Sequence, residues 1–291
     1  MKIFRTISTG NQVVEDLISQ TIDHGTSPSL SIKICFSGSA TFSLDNRELN
    51  LFPGYFLTVN EGTSYTRIVD SLDPVKTFSI IFDSCFLADF HRTYLQNAAS
   101  LLDDPFIETE PEVRLLEAIF PFVDDFKYTV LNLKSTLCDG LTDDLLMNSY
   151  FHHCLESYYR LYHSEVANKI AKLAFSNRST KIEMMKRLLV AKDYIISNYN
   201  QKVRIDEVAK IACLSINHFL RNFKLAYRIS PYQFLIQVRL QRAAEILKST
   251  ELPVSEIASL VGFDSSPSFI MLFRKAYKIT PFQYRKSTTI I

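Results

Sequence analysis

A chain of 291 residues is long enough for two domains that each bury a core, and 47% apolar with 22% charged residues exclude a disordered chain. The first residues, MKIFRTISTGNQVVED, lack the apolar run of a signal peptide. No window approaches the roughly 18 apolar residues of a membrane span, and five scattered cysteines with no CxxC pair fit a reducing cytoplasm better than a disulfide framework. The net charge of +1 conceals two opposite halves. Residues 181–291 carry 18 Lys+Arg against 8 Asp+Glu, a balance of +10, and residues 1–180 carry 14 against 23, a balance of −9. Such asymmetry points to a basic part that meets a polyanion and an acidic part with another task.

Residues 28–84 read as strands. Leu30–Phe36, Ala40–Leu44, Tyr55–Val59 and Phe78–Phe82 are apolar or alternating runs set between turn clusters such as Phe52-Pro53-Gly54 and Glu61-Gly62-Thr63. Short strands at about ten-residue spacing predict a sandwich or a barrel. From Glu112 the period changes: Val113, Leu116, Ile119, Phe120 and Val123 recur at three and four residues, which predicts a helix over about 112–131. A second helix is expected over about 142–162. Its adjacent pair His152–His153 makes no site, because neighbours on a helix point in different directions. The polar run Ser176–Thr180 reads as a linker. Thr180 and Glu183 have the spacing of a capping box that opens a helix reaching about Tyr199.

The basic half contains an internal repeat. Ile205 to Phe234 reads IDEVAKIACLSINHFLRNFKLAYRISPYQF, and Val254 to Tyr284 reads VSEIASLVGFDSSPSFIMLFRKAYKITPFQY. Early matches (Glu207 with Glu256, Ala209 with Ala258) are offset by 49 residues, and later ones (Phe219 with Phe269, Phe223 with Phe273, Tyr227 with Tyr277, Pro231 with Pro281, Gln233 with Gln283) by 50. One residue is therefore inserted at the turn of the second copy. Each copy has helix-turn-helix grammar. A small residue (Ala209, Ala258) allows a close helix crossing, and a turn follows at Cys213 or Gly262. A polar cap (Ser215, or a residue of Asp264–Ser266) opens a second helix that buries two phenylalanines four residues apart. Glycine suits a left-handed turn and Cys213 does not, so a somewhat different first turn is expected. A plain helical bundle with a duplicated hairpin would share this pattern. The basic residues Arg221, Lys224 and Arg228, then Arg274, Lys275 and Lys278, with Arg239 and Arg242 between the copies, favour a nucleic-acid partner.

The motifs Ala258-x-x-x-Gly262-Phe263, Phe269-x-x-x-Phe273-Arg274-Lys275 and Ile279-Thr280-Pro281-x-x-Tyr284-Arg285 resemble the C-terminal domain of the AraC/XylS family of bacterial transcription regulators. The resemblance covers about 183–286. It implies seven helices, with two helix-turn-helix units joined by a long central helix near 231–248, each offering its second helix to the major groove of double-stranded promoter DNA. Carried over by position, Asn217, His218, Leu220 and Arg221 would read bases, Asn217 pairing with adenine and Arg221 with guanine. Ser215 and Lys224 would touch phosphate. The second unit would use Ser266, Pro267, Ser268, Ile270 and Met271, with Lys275 on the backbone. A basic residue is common in the family where Met271 stands, so this unit either reads thymine methyls or mainly grips the backbone, and Ile270 and Met271 have packing as their plain alternative.

Gly38 to Arg67, with the turn Leu51-Phe52-Pro53-Gly54-Tyr55, resembles the cupin-like effector domain of that family. The fold class expected is thus α+β: a cupin-like β-barrel with flanking helices over 1–175 for effector binding and dimerisation, and an all-α double helix-turn-helix domain over 181–291. Tyr65 and Arg67 fall near the expected barrel interior as effector-binding candidates, with surface positions on a strand as the plain reading. A histidine expected near Tyr65 in metal-binding cupins is absent, and none of the six histidines forms an HxH cluster, so neither a metal nor another cofactor is expected. The resemblance implies a cytoplasmic, non-enzymatic homodimer that answers a small-molecule effector and, as an activator, contacts RNA polymerase. A regulator controlled by abundance or by a protein partner, and a cupin enzyme with an accessory DNA-binding domain, stay as alternatives.

Overall fold

A computed structural model describes residues 2–6, 10–45, 47–95, 115–138 and 143–288. The chain divides into two compact units, Met1–Ala167 and Asn168–Ile291.

The first unit is built on an antiparallel sheet of eight strands among the described residues: β1 (Lys2–Thr6), β2 (Gln12–Thr26), β3 (Ser31–Ser37), β4 (Ala40–Leu44), β5 (Arg47–Leu51), β6 (Tyr55–Val59), β7 (Ser64–Ile81) and β8 (Ile119–Pro121). The pairing order is β1-β2-β7-β3-β6-β8, with β4 also on β7 and β5 on β4; the path ends at β1 and β8 without closing. The long strands β2 and β7 pair from Gln12↔Ile81 to Thr26↔Ser64, with a register shift between Ile18 and Gln20. Ile32, Ile34, Phe56, Leu57, Phe78 and Ile80 are buried on the three central strands, each contributing about 1.5–3 kcal/mol through its removal from water. Helices α2 (Asp124–Cys138) and α3 (Asp144–Tyr162) cover this core. The ring of Phe126 lies 4.5 Å from that of Phe56, and Tyr158 meets Phe56 edge-on at 6.1 Å. Between β7 and β8 runs α1 (Ser84–Leu95).

Three expectations change. The helix expected over about 112–131 begins only at Asp124. Residues 112–114 lie outside the described residues, and Ile119–Pro121 is the edge strand β8, paired with Tyr55–Leu57. Its three-residue spacing mimicked a helix, while Pro121 is tolerated because an edge strand has one side unpaired. The capping box at Thr180 and Glu183 is not formed; Asn177 caps the helix and accepts from the Ser179 amide at 2.9 Å. Finally, β1 and β2 lie before the strand region expected over 28–84 and were not legible as strands. Along β2 most positions are half-exposed, so the apolar-polar alternation that marks a strand is blurred, and the register shift interrupts it further.

The second unit is helical: α4 (Asn168–Lys172), α5 (Arg178–Ser197), α6 (Ile205–Ile211), α7 (Ile216–Tyr227), α8 (Pro231–Ser249), α9 (Val254–Leu260), α10 (Ser266–Tyr277) and α11 (Pro281–Thr288). The seven helices from α5 onward match the number that the resemblance implied. The first repeat is α6-turn-α7 and the second α9-turn-α10, with α8 between them.

Candidate nucleic-acid interface

Each repeat forms the same backbone device. After α6, the Leu214 amide donates to Ala209 O and the Cys213 amide to Lys210 O, both at 2.9 Å; after α9, Phe263 donates to Ala258 O and Gly262 to Ser259 O, again both at 2.9 Å. This is the paired hydrogen bonding of a Schellman turn, which needs a left-handed residue in the middle. Cys213 adopts it with φ 53° and Gly262 with φ 87°. The expected difference between the turns is therefore absent. The hydrogen-bond pair dictates the conformation, and cysteine accepts the strain of about 1–2 kcal/mol that glycine avoids. The residue inserted in the second copy is Asp264, standing between the turn and the cap.

The caps differ. Ser215 opens α7 and its Oγ accepts from the His218 amide at 3.4 Å. Ser265 opens α10, makes no side-chain bond to the backbone there, and donates its hydroxyl to Ser268 Oγ at 2.8 Å. At the far ends the copies converge again. Arg228 and Lys278 close α7 and α10 in the left-handed conformation. Ser230 with Gln233, and Thr280 with Gln283, exchange reciprocal capping bonds of 2.9–3.3 Å.

Inside each unit the buried faces carry matching aromatic stacks. Phe219, Phe223, Tyr227 and Phe234 have successive centroid distances of 5.4 Å, 4.4 Å and 5.8 Å, and Phe269, Phe273, Tyr277 and Tyr284 have 5.5 Å, 4.5 Å and 5.2 Å. Burial of these faces leaves the opposite faces outward. On α7, Asn217, His218, Leu220, Arg221 and Lys224 are exposed, and 217, 220, 221 and 224 fall at helical spacing on one face. The His218 ring lies 6.1 Å from that of Phe175. On α10, Pro267, Ser268, Ile270, Met271, Arg274 and Lys275 are exposed, while Ser266 is half-buried. Leu220 and Ile270, which match in the repeat, have the same exposure, 37% and 38%, and Met271 has 65%, so none of the three is a packed core residue of its unit.

Two residues were missed as site candidates. Arg274 is the repeat partner of Lys224 and continues the face of Pro267, Ile270 and Met271; the 50-residue offset alone would have assigned it. Arg187, on α5, donates from Nε to Glu183 at 3.0 Å and from Nη1 to the Cys213 carbonyl at 3.1 Å, steadying the first turn. One basic residue changes its meaning. Arg239 was counted toward a polyanion-binding surface, but it is 8% exposed. Its Nε and Nη2 donate to the carbonyls of Tyr199 and Gln201 at 2.7 and 2.8 Å, and burial lowers its pKa from the ordinary arginine value.

In the first unit, Tyr65 and Arg67 both lie on β7. Arg67 is buried. It donates to Asp16 Oδ2 at 2.8 Å, to Thr77 Oγ1 at 3.2 Å and, through Nε, to Asp23 Oδ2 at 3.1 Å. Burial opposes its charge, but the two carboxylates outweigh burial and raise its pKa. Burial likewise raises the pKa of the half-buried Tyr65. The ammonium of the buried Lys33 lies 5.1 Å from the Tyr65 ring centre. A cavity of about 330 Å³ is lined by Asp16, Asp23, Lys33, Phe42, Tyr65 and Arg67 among others. Among the described residues, no group of three His, Cys, Asp or Glu side chains could hold a metal ion, and no helix is long and apolar enough to cross a membrane.

Residues 208–287 match the family model of a helix-turn-helix domain. Over 105 residues the chain is 37% identical to an uncharacterized HTH-type transcriptional regulator of Haemophilus influenzae, covering 36% of this chain and 35% of that protein. Over 92 residues it is 36% identical to the HTH-type transcriptional regulator MtrA of Neisseria gonorrhoeae, covering 32% of this chain and 31% of that protein. The matched stretch thus spans about a third of the length of these relatives. Among solved structures, a transcriptional regulator of the AraC-type DNA-binding proteins from Chromobacterium violaceum aligns over 39% of this chain and 98% of its own, with 24% identity and a TM-score of 0.35.

Proposed function

We propose that this chain, an AraC/XylS-type protein by its C-terminal helix-turn-helix domain, is a sequence-specific DNA-binding transcription regulator. The observation that carries this reading is the duplicated unit. In both copies a shared frame of Schellman turn, aromatic stack and C-terminal cap exposes one face of the second helix, within a stretch of charge +10. In the first unit Asn217 and Arg221 contact base edges, with His218 and Leu220 beside them, and Lys224 holds a phosphate. Ser215 is engaged as a helix cap, which leaves its hydroxyl proton free for a phosphate oxygen. In the second unit Ile270 and Met271 meet apolar groups such as thymine methyls, Ser266 and Ser268 line the entry to the groove, and Arg274 and Lys275 grip the backbone. The 19 residues of α8 give about 28 Å at 1.5 Å per residue, which suits two units that enter successive major grooves about 34 Å apart.

We assign effector binding to the first unit and DNA binding to the second; the division expected at 1–175 and 181–291 differs from the compact units, which part between Ala167 and Asn168. We read the open sheet of the first unit as cupin-like, with the cavity beside Tyr65 and Arg67 as the effector site. Buried charged groups around an apolar wall support that reading. In a thermal-shift screen of small polar molecules, stabilisation by a ligand should be lost in Tyr65→Ala; a ligand that stabilises both proteins equally binds elsewhere.

The DNA reading is tested by selecting duplexes from a random-sequence pool with the full-length protein and measuring affinity against salt. An enriched sequence with two half-sites is expected, and log affinity should fall with log salt at a slope of about −0.9 per neutralised phosphate. No enrichment together with a flat salt response would sink the reading.

A further inference from the structure

The turn of the second helix-turn-helix unit meets the loop that leads into the first, and a buried charge sits there. The first unit packs on the first turns of α8, where the Phe234 ring lies 5.7 Å from that of Phe223. The second packs farther along, where the Tyr277 hydroxyl donates to Leu240 O at 3.5 Å. Between them, midway along α8, stands Arg239. Its guanidinium reaches back to the carbonyls of Tyr199 and Gln201, in the loop that delivers the chain into α6, and it lies over the Phe263 ring at 5.7 Å, in the turn of the second unit. The turn itself touches the same loop: a Cβ on Gly262 would come within 2.9 Å of the Tyr199 carbonyl and 3.0 Å of Arg239 Nη2.

Burying a charge is costly unless its partners are well placed. An apolar side chain of equal length would fill this space without that cost. What arginine adds is a planar fork that spans two carbonyls at fixed angles, which neither an apolar chain nor the single ammonium of lysine reproduces. The loop it grips is held by its own bonds, from Gln201 N to Asn198 O and from Val203 N to Gln201 O, each 3.0 Å. A force on the second turn is therefore passed to the start of the first unit rather than absorbed by a slack loop.

We infer that Arg239 is a positioning residue for DNA recognition, a cross-brace that fixes the rotation and separation of α7 and α10 and so sets the half-site spacing the protein accepts. This rests on the DNA-binding reading. It differs from a fold-stabilising role in what it leaves intact: each unit keeps its own turn, caps and aromatic stack, and loses only its fixed relation to the other.

The test uses full-length protein and a duplex selected from a random pool. Variants of that duplex have either half-site scrambled, or the spacing lengthened or shortened by one base pair. Wild type should favour one spacing sharply. Arg239→Lys and Arg239→Met should bind the single-half-site duplexes within about twofold of wild type, lose about tenfold on the intact duplex, and discriminate less among spacings, because linked modules gain affinity only when their geometry lets both engage at once. An equal loss on every duplex, or unchanged spacing preference, overturns the inference. Should Arg239→Met fail to fold, as thermal unfolding would reveal, Arg239→Lys carries the test; if both lose binding to single half-sites, Arg239 only holds the fold and the inference is overturned. A wild type that selects no half-sites would overturn the DNA reading itself, a separate outcome.

Discussion

At the turn of the first helix-turn-helix unit stands Cys213, and at the turn of the second Gly262, yet both close the same two hydrogen bonds and both adopt positive φ. The sixth residue of the first reading helix is Arg221, and the sixth of the second is Met271. The first difference is tolerated because the backbone bonds impose the geometry on whichever residue is there. The second is allowed because nothing in the frame depends on an exposed side chain. The aromatic stacks, with nearly equal ring distances in both copies, show which positions the duplicated fold holds constant. The outward faces show where it lets function diverge.

The largest effect should separate the two turns. Gly262→Ala places a Cβ against the Tyr199 carbonyl in a left-handed position, and a loss of about 3 kcal/mol in unfolding free energy is expected from the strain and the overlap together. Cys213→Gly, measured by the same denaturant titration, should change stability by less than about 1 kcal/mol, since relieved strain and added chain entropy oppose each other. Equal effects at the two turns would show that close packing on the loop does not distinguish them. Next comes Arg221→Ala, expected to weaken duplex binding by about 2 kcal/mol and to relax base preference in one half-site. Unchanged footprinting and affinity would remove Arg221 from the reading set. Ser230→Ala and Thr280→Ala each break one of the paired capping boxes. Each should cost about 1 kcal/mol of stability, and a marked inequality between them would show that the copies share less of their frame than their bonds indicate. The smallest effect is expected for Met271→Ala, less than about 1 kcal/mol in affinity; a large, sequence-selective loss would make apolar contact an equal partner in recognition.

The legible part of the molecule was the part governed by local rules. Helices α6 to α11, the position of α8 and the buried phenylalanines could be read from four-residue spacings, Pro and polar caps, and the repeat itself. The same logic misassigned Ile119–Pro121, whose spacing is helical but whose partners lie on β6, far away in sequence. It passed over β2, because a strand with most positions half-exposed carries little alternation. For the candidate site, Asn217, His218, Leu220, Arg221 and Lys224, named from the sequence, lie exposed on α7. Arg274 was missed although the repeat offset pointed to it, and Arg187 could not be found because its acceptor, the Cys213 carbonyl, is a backbone atom 26 residues away.

By itself, then, the sequence determined a duplicated helix-turn-helix frame in a basic half. Helix periodicity, turn chemistry and capping act within a few residues and leave their mark in the order of the chain. Only the tertiary structure decided what the charges do. Arg67 on β7 is drawn to Asp16 and Asp23 on the neighbouring β2, and Arg239, one of many basic residues in this half, is turned inward to two carbonyls. Whether an arginine meets solvent or a buried acceptor depends on segments tens of residues apart being brought together, and no local pattern records that.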